Sequence, residues 1–98
     1  MAKLESKFQK DLMDEIRELY PGCLIMKNDS GYIQGIPDWT ILYKDKWAVL
    51  EAKRDEDAPI QPNQEYYVSM LDSMSYSRFV YPKNKDEVLR ELRKVFDR

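Results

Sequence analysis

Gly35-Ile36-Pro37-Asp38-Trp39-Thr40-Ile41-Leu42-Tyr43-Lys44-Asp45-Lys46-Trp47-Ala48-Val49-Leu50-Glu51-Ala52-Lys53-Arg54 is the stretch on which the fold turns. Trp39 to Tyr43 and Trp47 to Leu50 are rich in β-branched and aromatic side chains and predict two strands. The polar Lys44-Asp45-Lys46 between them predicts a tight connection. A loop of two residues and a loop of four give the same register, with Asp38 directly opposite Glu51. A three-residue loop would put these acids on opposite faces, and Lys-Asp is not a favoured hairpin turn. In the first register Asp38, Glu51 and Lys53 share one face of the sheet. Like charges placed opposite each other destabilise a sheet. A divalent cation between the carboxylates, with the Lys53 ammonium beside them, offsets that repulsion. Mg²⁺ commonly takes one or two carboxylates plus waters and substrate phosphate. The plainer reading makes all three solvated residues at strand ends.

Outward from this hairpin, composition limits the chemistry. A chain of 98 residues predicts one domain spanning 1–98, with a core modest enough that dimerisation is plausible. Apolar residues at 43% and charged residues at 35% fit a soluble globular protein. Cys23 is the single cysteine, so no disulfide can form within the chain and a reducing cytoplasm is the expected compartment. The chain has no histidine, which removes His-based triads, His metal ligands and His general bases together. No apolar leader and no membrane-length apolar run is present, so neither secretion nor a membrane partner is expected. The net charge of −2 is not that of a typical nucleic-acid binder. Basic residues nevertheless outnumber acidic ones from Arg78 to Arg98.

The flanking segments supply helices and further strands. Lys3 to Tyr20 predicts an amphipathic helix ended by Pro21-Gly22, with Leu4, Phe8, Leu12, Ile16, Leu19 and Tyr20 on one apolar arc. Glu5 falls near the middle of that arc. It is either a carboxylate in need of a partner or a first-turn acid that suits the helix dipole. Glu15 lies at the arc's edge and reads as a rim residue. Leu24 to Lys27 predicts a short strand. Asn28 to Gln34 is a polar loop leading to Gly35 and Pro37. Its Ser30 hydroxyl, the backbone near Gly31 and the Tyr32 ring are candidate contacts to phosphate or base; a plain surface connection is the alternative. Arg54 to Gln61 reads as a charged loop whose acids are solvated. Pro62 suits the first position of a helix. Gln64, Tyr67, Leu71 and Met74 then follow helical spacing, with Val68 and Met70 filling in. Gln64 therefore heads a buried stripe, either reaching a polar site or satisfying the helix start. Arg78 to Tyr81 predicts a last strand, placed parallel to its neighbour by a helical crossover. Asn84 with Glu87 resembles a capping box opening a final helix. Val88, Leu89, Leu92, Val95 and Phe96 form its apolar face, and Arg90, Arg93, Lys94 and Arg98 lie elsewhere on it, read as a solvated face with a DNA groove as the alternative.

Pro37-Asp38 followed by Glu51-Ala52-Lys53 resembles the signature of the PD-(D/E)XK nuclease superfamily. With Gly35-Ile36 before it, Leu50 and Arg54 around it and Gln64 after it, the pattern is similar to the virus-type replication-repair nuclease (VRR-NUC) branch. The resemblance covers roughly Glu5 to Tyr81. It implies an α/β fold with a restriction-endonuclease-like α-β-β-β-α-β-α core: a small mixed four-stranded sheet flanked by helices. Family members commonly carry a glycine before the last strand; this chain has Ser73-Met74-Ser75-Tyr76-Ser77.

The resemblance also implies a Mg²⁺-dependent endonuclease, with Mn²⁺ as a substitute, hydrolysing DNA phosphodiesters. Asp38 and Glu51 are the expected metal ligands, with the Ala52 carbonyl as a further one and Glu5 as an additional acidic ligand from the first helix. Lys53 is expected to act on the attacking water and Gln64 beside the metal or the DNA backbone. Ser30, Gly31, Tyr32 and Arg54 are the expected DNA contacts. The branch suggests cutting of branched DNA such as Holliday junctions by a homodimer, in a cytoplasm that for a phage-encoded protein is the host's. A non-catalytic nucleic-acid-binding module on the same fold is the alternative.

Overall fold

In the computed structural model the backbone is described for residues 2–98 and side chains from Glu5 onward. Leu4, counted above in the apolar arc, lies outside the described side chains. The elements in chain order are α1 (Ala2–Leu19), β1 (Leu24–Lys27), β2 (Trp39–Tyr43), β3 (Lys46–Ala52), α2 (Gln64–Met74), β4 (Ser77–Val80) and α3 (Lys85–Phe96). The fold is mixed α/β, three helices on a four-stranded sheet of order β1-β2-β3-β4. The first three strands are antiparallel, and β4 runs parallel to β3.

The hairpin adopts the register with a two-residue loop. Tyr43 pairs Lys46 and Trp39 pairs Leu50, so the next step of the ladder sets Asp38 against Glu51. Lys44 accommodates the tight turn by taking the left-handed conformation, φ 57°. That geometry costs a non-glycine residue about 1–2 kcal/mol. The two apolar runs fix the register, because a slip of one residue would turn each strand's buried face to solvent.

Alternation then sorts the two faces. Ile41, Ala48, Leu50 and Ala52 point to one side, where α1 and α3 cover them with Leu12, Ile16, Tyr20, Val88, Leu92 and Phe96. The rings of Tyr20 and Phe96 meet edge to face at 4.9 Å in this core. Met13 is buried as well, while Leu19, expected on the apolar arc, is 37% exposed. Trp47, Val49, Glu51 and Lys53 point to the other side, towards α2 and the Asn28–Gln34 loop.

Three expectations are corrected at element ends. Pro62 is not the first residue of α2; Asn63 is the N-cap in a left-handed conformation, φ 70°, and the helix begins at Gln64. The stripe on α2 is shorter than its spacing implied: Gln64 and Val68 are buried, but Met70 and Met74 are exposed. Asn84 occupies the N-cap of α3 yet makes no capping bond. Its side chain instead accepts from the Tyr81 N–H and donates to the Phe79 carbonyl, closing the end of β4. The turn into β4 needs no glycine. Ser75 donates to the Trp47 carbonyl, and the Asp72 carboxylate accepts from the Ser77 N–H at 3.1 Å.

Candidate active site

One cleft of about 500 Å³ is lined by Glu5, Ser30, Gln34, Gly35, Asp38, Glu51, Lys53, Gln61 and Gln64. Four separate segments supply these residues: the first turn of α1, the loop before β2, the facing ends of β2 and β3, and the entry to α2. The hairpin register explains the centre. Glu51 and Lys53 are successive residues on one face of β3 and its extension, and Asp38 precedes β2 directly across from Glu51. The Asp38 N–H donates to Glu51 Oε1 at 3.0 Å, locking the two acids side by side.

Three of the polar residues are withdrawn from solvent. Glu51 is 4% exposed, Lys53 8% and Gln64 7%. Burial is tolerated because each finds partners. Lys53 Nζ donates to Gln64 Oε1 and to the Pro59 carbonyl, both at 3.0 Å, and stands 3.7 Å from Glu51 Oε2. Gln64 Oε1 also accepts from the Gln61 N–H at 2.8 Å. Gln64 thus ties the start of α2 to the lysine, which accounts for an amide at the head of an apolar stripe.

Gly35 makes that junction possible. Its φ is +91°, and a Cβ at this position would stand 2.6 Å from Asn63 Cβ and 2.7 Å from the Pro62 carbonyl oxygen. The loop before β2 therefore lies directly on the turn that presents Gln64. Asn28 secures the other side. Its side chain donates to the Pro37 carbonyl at 2.8 Å and to Thr40 Oγ1 at 2.9 Å, and its N–H donates to the Asp38 carbonyl. Pro37-Asp38 is held from both flanks.

The electrostatics follow from this packing. Burial first, and the Asp38 charge second, push the Glu51 carboxyl up to about 7, against the pull of Lys53 and of the Asp38 N–H; Glu5 adds a smaller push. Asp38 keeps an exposed edge and has Lys27 Nζ 3.5 Å from its Oδ2. Each carboxylate has one ammonium beside it, Lys27 at Asp38 and Lys53 at Glu51, and the pair presents hard oxygen donors of the kind that suit Mg²⁺. The residues present therefore fit such an ion. Asp38 and Glu51 would hold it; Ala52, whose carbonyl the resemblance implied as a further ligand, is not among the residues lining the cleft, and its side chain packs in the core on the other face of the sheet. Among the described residues, no three Asp, Glu or Cys side chains form a metal-binding group by themselves. Glu5 lines the cleft without joining the pair, a position suited to contact through water.

The cleft brings together Glu5, Ser30, Asp38, Glu51, Lys53 and Gln64 of the residues expected from sequence. It leaves others outside its wall. Tyr32 is 86% exposed and lines a neighbouring apolar groove with Ile33, Trp47 and Leu71. The Gly31 N–H is turned to Asp29 Oδ1. Arg54 is paired with Asp55 at 3.3 Å. Sequence reasoning missed Lys27, Asn28, Gln34 and Gln61 as parts of the site. Only Lys27 carried a signal, as a cation ending an expected strand. Comparisons with family models, curated proteins and solved structures find no match to this chain.

Proposed function

We propose that this protein is a metal-dependent endonuclease that hydrolyses DNA phosphodiester bonds. The observation that carries the reading is the convergence of Asp38, Glu51, Lys53 and Gln64 on one cleft, with the lysine buried against a carboxylate. The restriction-endonuclease-like core and the likeness to VRR-NUC proteins belong to this proposal. The element order α-β-β-β-α-β-α and the Pro-Asp…Glu-x-Lys spacing support them.

A Mg²⁺ ion bound there supplies Lewis acidity at the scissile phosphate and lowers the pKa of water. The chain's own residues do the rest. Asp38 and Glu51 set the position of the positive charge. Lys53 presents a compact ammonium that orients the attacking water and balances charge developing on phosphorus. Gln64 and the Pro59 carbonyl fix that ammonium, so it is already in place before substrate arrives. Ser30 and Gln34 form the outer lip, where a sugar-phosphate backbone would pass.

Branched DNA is the substrate class we favour, cut by a homodimer whose two-fold axis presents two sites to two strands. Exposed Leu24 and Met26 on the edge strand β1 support self-association. The catalytic reading is tested by Mg²⁺-dependent cleavage of a synthetic four-way junction, with Mn²⁺ as a substitute. Asp38→Ala, Glu51→Ala and Lys53→Ala are each expected to lower the rate by at least about 100-fold. Full activity in either acid variant would remove the assignment. Equal cutting of junction, flap, linear duplex and single strand would remove the branched-DNA claim, and a monomer by sedimentation the two-fold one.

A further inference from the structure

A second cleft, of about 340 Å³, lies on the α1 side of the same strand ends and is lined by Ser6, Gln9, Lys10, Met13, Arg17, Lys27 and Trp39. We infer that it is a phosphate-binding track that receives the nucleic-acid strand as it leaves the candidate active site. The inference rests on the nuclease reading for the nature of its ligand, but its test does not depend on cleavage.

Continuity between the clefts is the first support. They meet along two seams of adjacent residues. On α1, Glu5 lines the active-site cleft and Ser6 the second one. On β2, Asp38 lines the first and Trp39 the second. Lys27 spans the boundary. It pairs with Trp39 in the β1–β2 ladder, lies 4.7 Å from the centre of the Trp39 ring and reaches to 3.5 Å from Asp38 Oδ2. A strand with one phosphate at Asp38 therefore has its next phosphates beside Lys27 or on the first cleft's outer lip.

Charge is the second support. Ser6, Lys10 and Arg17 recur at helical spacing on one face of α1 and form a row about 16 Å long. That length accommodates on the order of four nucleotides at the rise of one strand in a duplex. Lys10 and Arg17 share a single acid, Asp14, at 2.8 and 3.2 Å. Asp14 is 51% exposed, and pairs that open to water contribute at most about 1 kcal/mol, so a phosphate replaces them readily. A cation taken up by Asp38 would repel the ammonium now beside it, leaving Lys27 to face the strand. The Ser6 hydroxyl and Gln9 amide add uncharged donors of the kind that position backbone phosphates.

The test is equilibrium binding of a fluorescein-labelled four-way DNA junction, in Ca²⁺, across a salt series from 10 to 200 mM. The variants are Lys27→Gln alone and the triple Lys10→Gln/Arg17→Gln/Lys27→Gln. A control triple, Arg90→Gln/Lys94→Gln/Arg98→Gln, carries the same change in net charge on exposed positions of α3 and just past its end. Each phosphate that a variant no longer neutralises is expected to flatten the plot of log affinity against log salt by about 0.9. The α1 triple should therefore flatten it by about two to three units and weaken binding at least tenfold at low salt. Lys27→Gln should flatten it by about one, and the control should match wild type. An unchanged slope in the α1 triple overturns the inference, as does an equal effect from the control or absence of wild-type binding at 10 mM salt. Junction binding with this pattern but no cleavage in Mg²⁺ would instead sink the nuclease reading and leave the track standing.

Discussion

Glu51 concentrates the tension of the site in one side chain. Its carboxyl is raised from the usual 4.5 to about 7, by burial first and by Asp38 next. A carboxyl whose folded pKa is raised stabilises the folded chain most below its unfolded value. That contribution is lost as pH rises through the folded value. The metal-free protein should therefore lose on the order of 3 kcal/mol from this group between pH 4.5 and pH 8. Glu51→Gln keeps the shape and the acceptor for the Asp38 N–H but carries no charge. It leaves Lys53 with Gln64 and Pro59 as partners, which reduces the gain. We expect it to stabilise the metal-free protein at pH 8 by about 1–2 kcal/mol, to change little at pH 5, and to abolish cleavage. Urea denaturation at the two pH values reads the first two effects. A variant less stable than wild type at pH 8 would show that Lys53 already neutralises the carboxylate.

Among the elements, the hairpin and the entry to α2 carry different lessons. The hairpin was legible because two apolar runs flank a short polar one, and burial of one face leaves a single workable register. Asp38 opposite Glu51, with Lys53 beside them, was one of two registers the loop left open, and the ladder from Tyr43–Lys46 to Trp39–Leu50 selects it. The entry to α2 was not legible. Pro62 promised a helix start, but the chain first turns through Asn63 in a left-handed conformation. No local pattern announces that turn, because the backbone of Gly35, 28 positions before Asn63, lies directly on it. Asn28, Gln34 and Gln61 stayed hidden for a similar reason. Their roles arise where loops meet, and loops carry no periodicity. Gly35→Ala tests the contact. The added methyl would meet Asn63 at 2.6 Å in a conformation that penalises any side chain. A loss of about 2–4 kcal/mol is expected from the clash and the strained φ together. Junction cleavage by the folded fraction should fall too, since the turn that must yield is the one presenting Gln64 to Lys53. A loss below about 1 kcal/mol would mean that loop and turn separate easily.

At the scale of the whole molecule, the site and the stability of the fold are one linked system. The two acids that would hold an ion stand just before β2 and on β3, with Glu5 of α1 lining the same cleft, so an ion held there adds a tie on the face of the sheet opposite the hydrophobic core. Binding to the folded state alone stabilises it by about 2.7 kcal/mol at a ligand concentration 100 times Kd. For a domain of this size that is a rise of roughly 10–20 °C in melting temperature. The rise must depend on pH, because Glu51 has to give up its proton to take a cation. Above pH 7 the carboxylate is already ionised; at pH 6 most molecules must release a proton first. Thermal melts in a fixed excess of Mn²⁺ should therefore show a large shift at pH 8 and a several-fold weaker affinity at pH 6. Asp38→Ala should remove the shift at both. Loss of the opposing charge in that variant should also raise its metal-free melting temperature at pH 8, since the repulsion that lifts the Glu51 carboxyl is then gone. A Mn²⁺ shift that is independent of pH, or that survives in Asp38→Ala, would place the cation somewhere other than between these two acids.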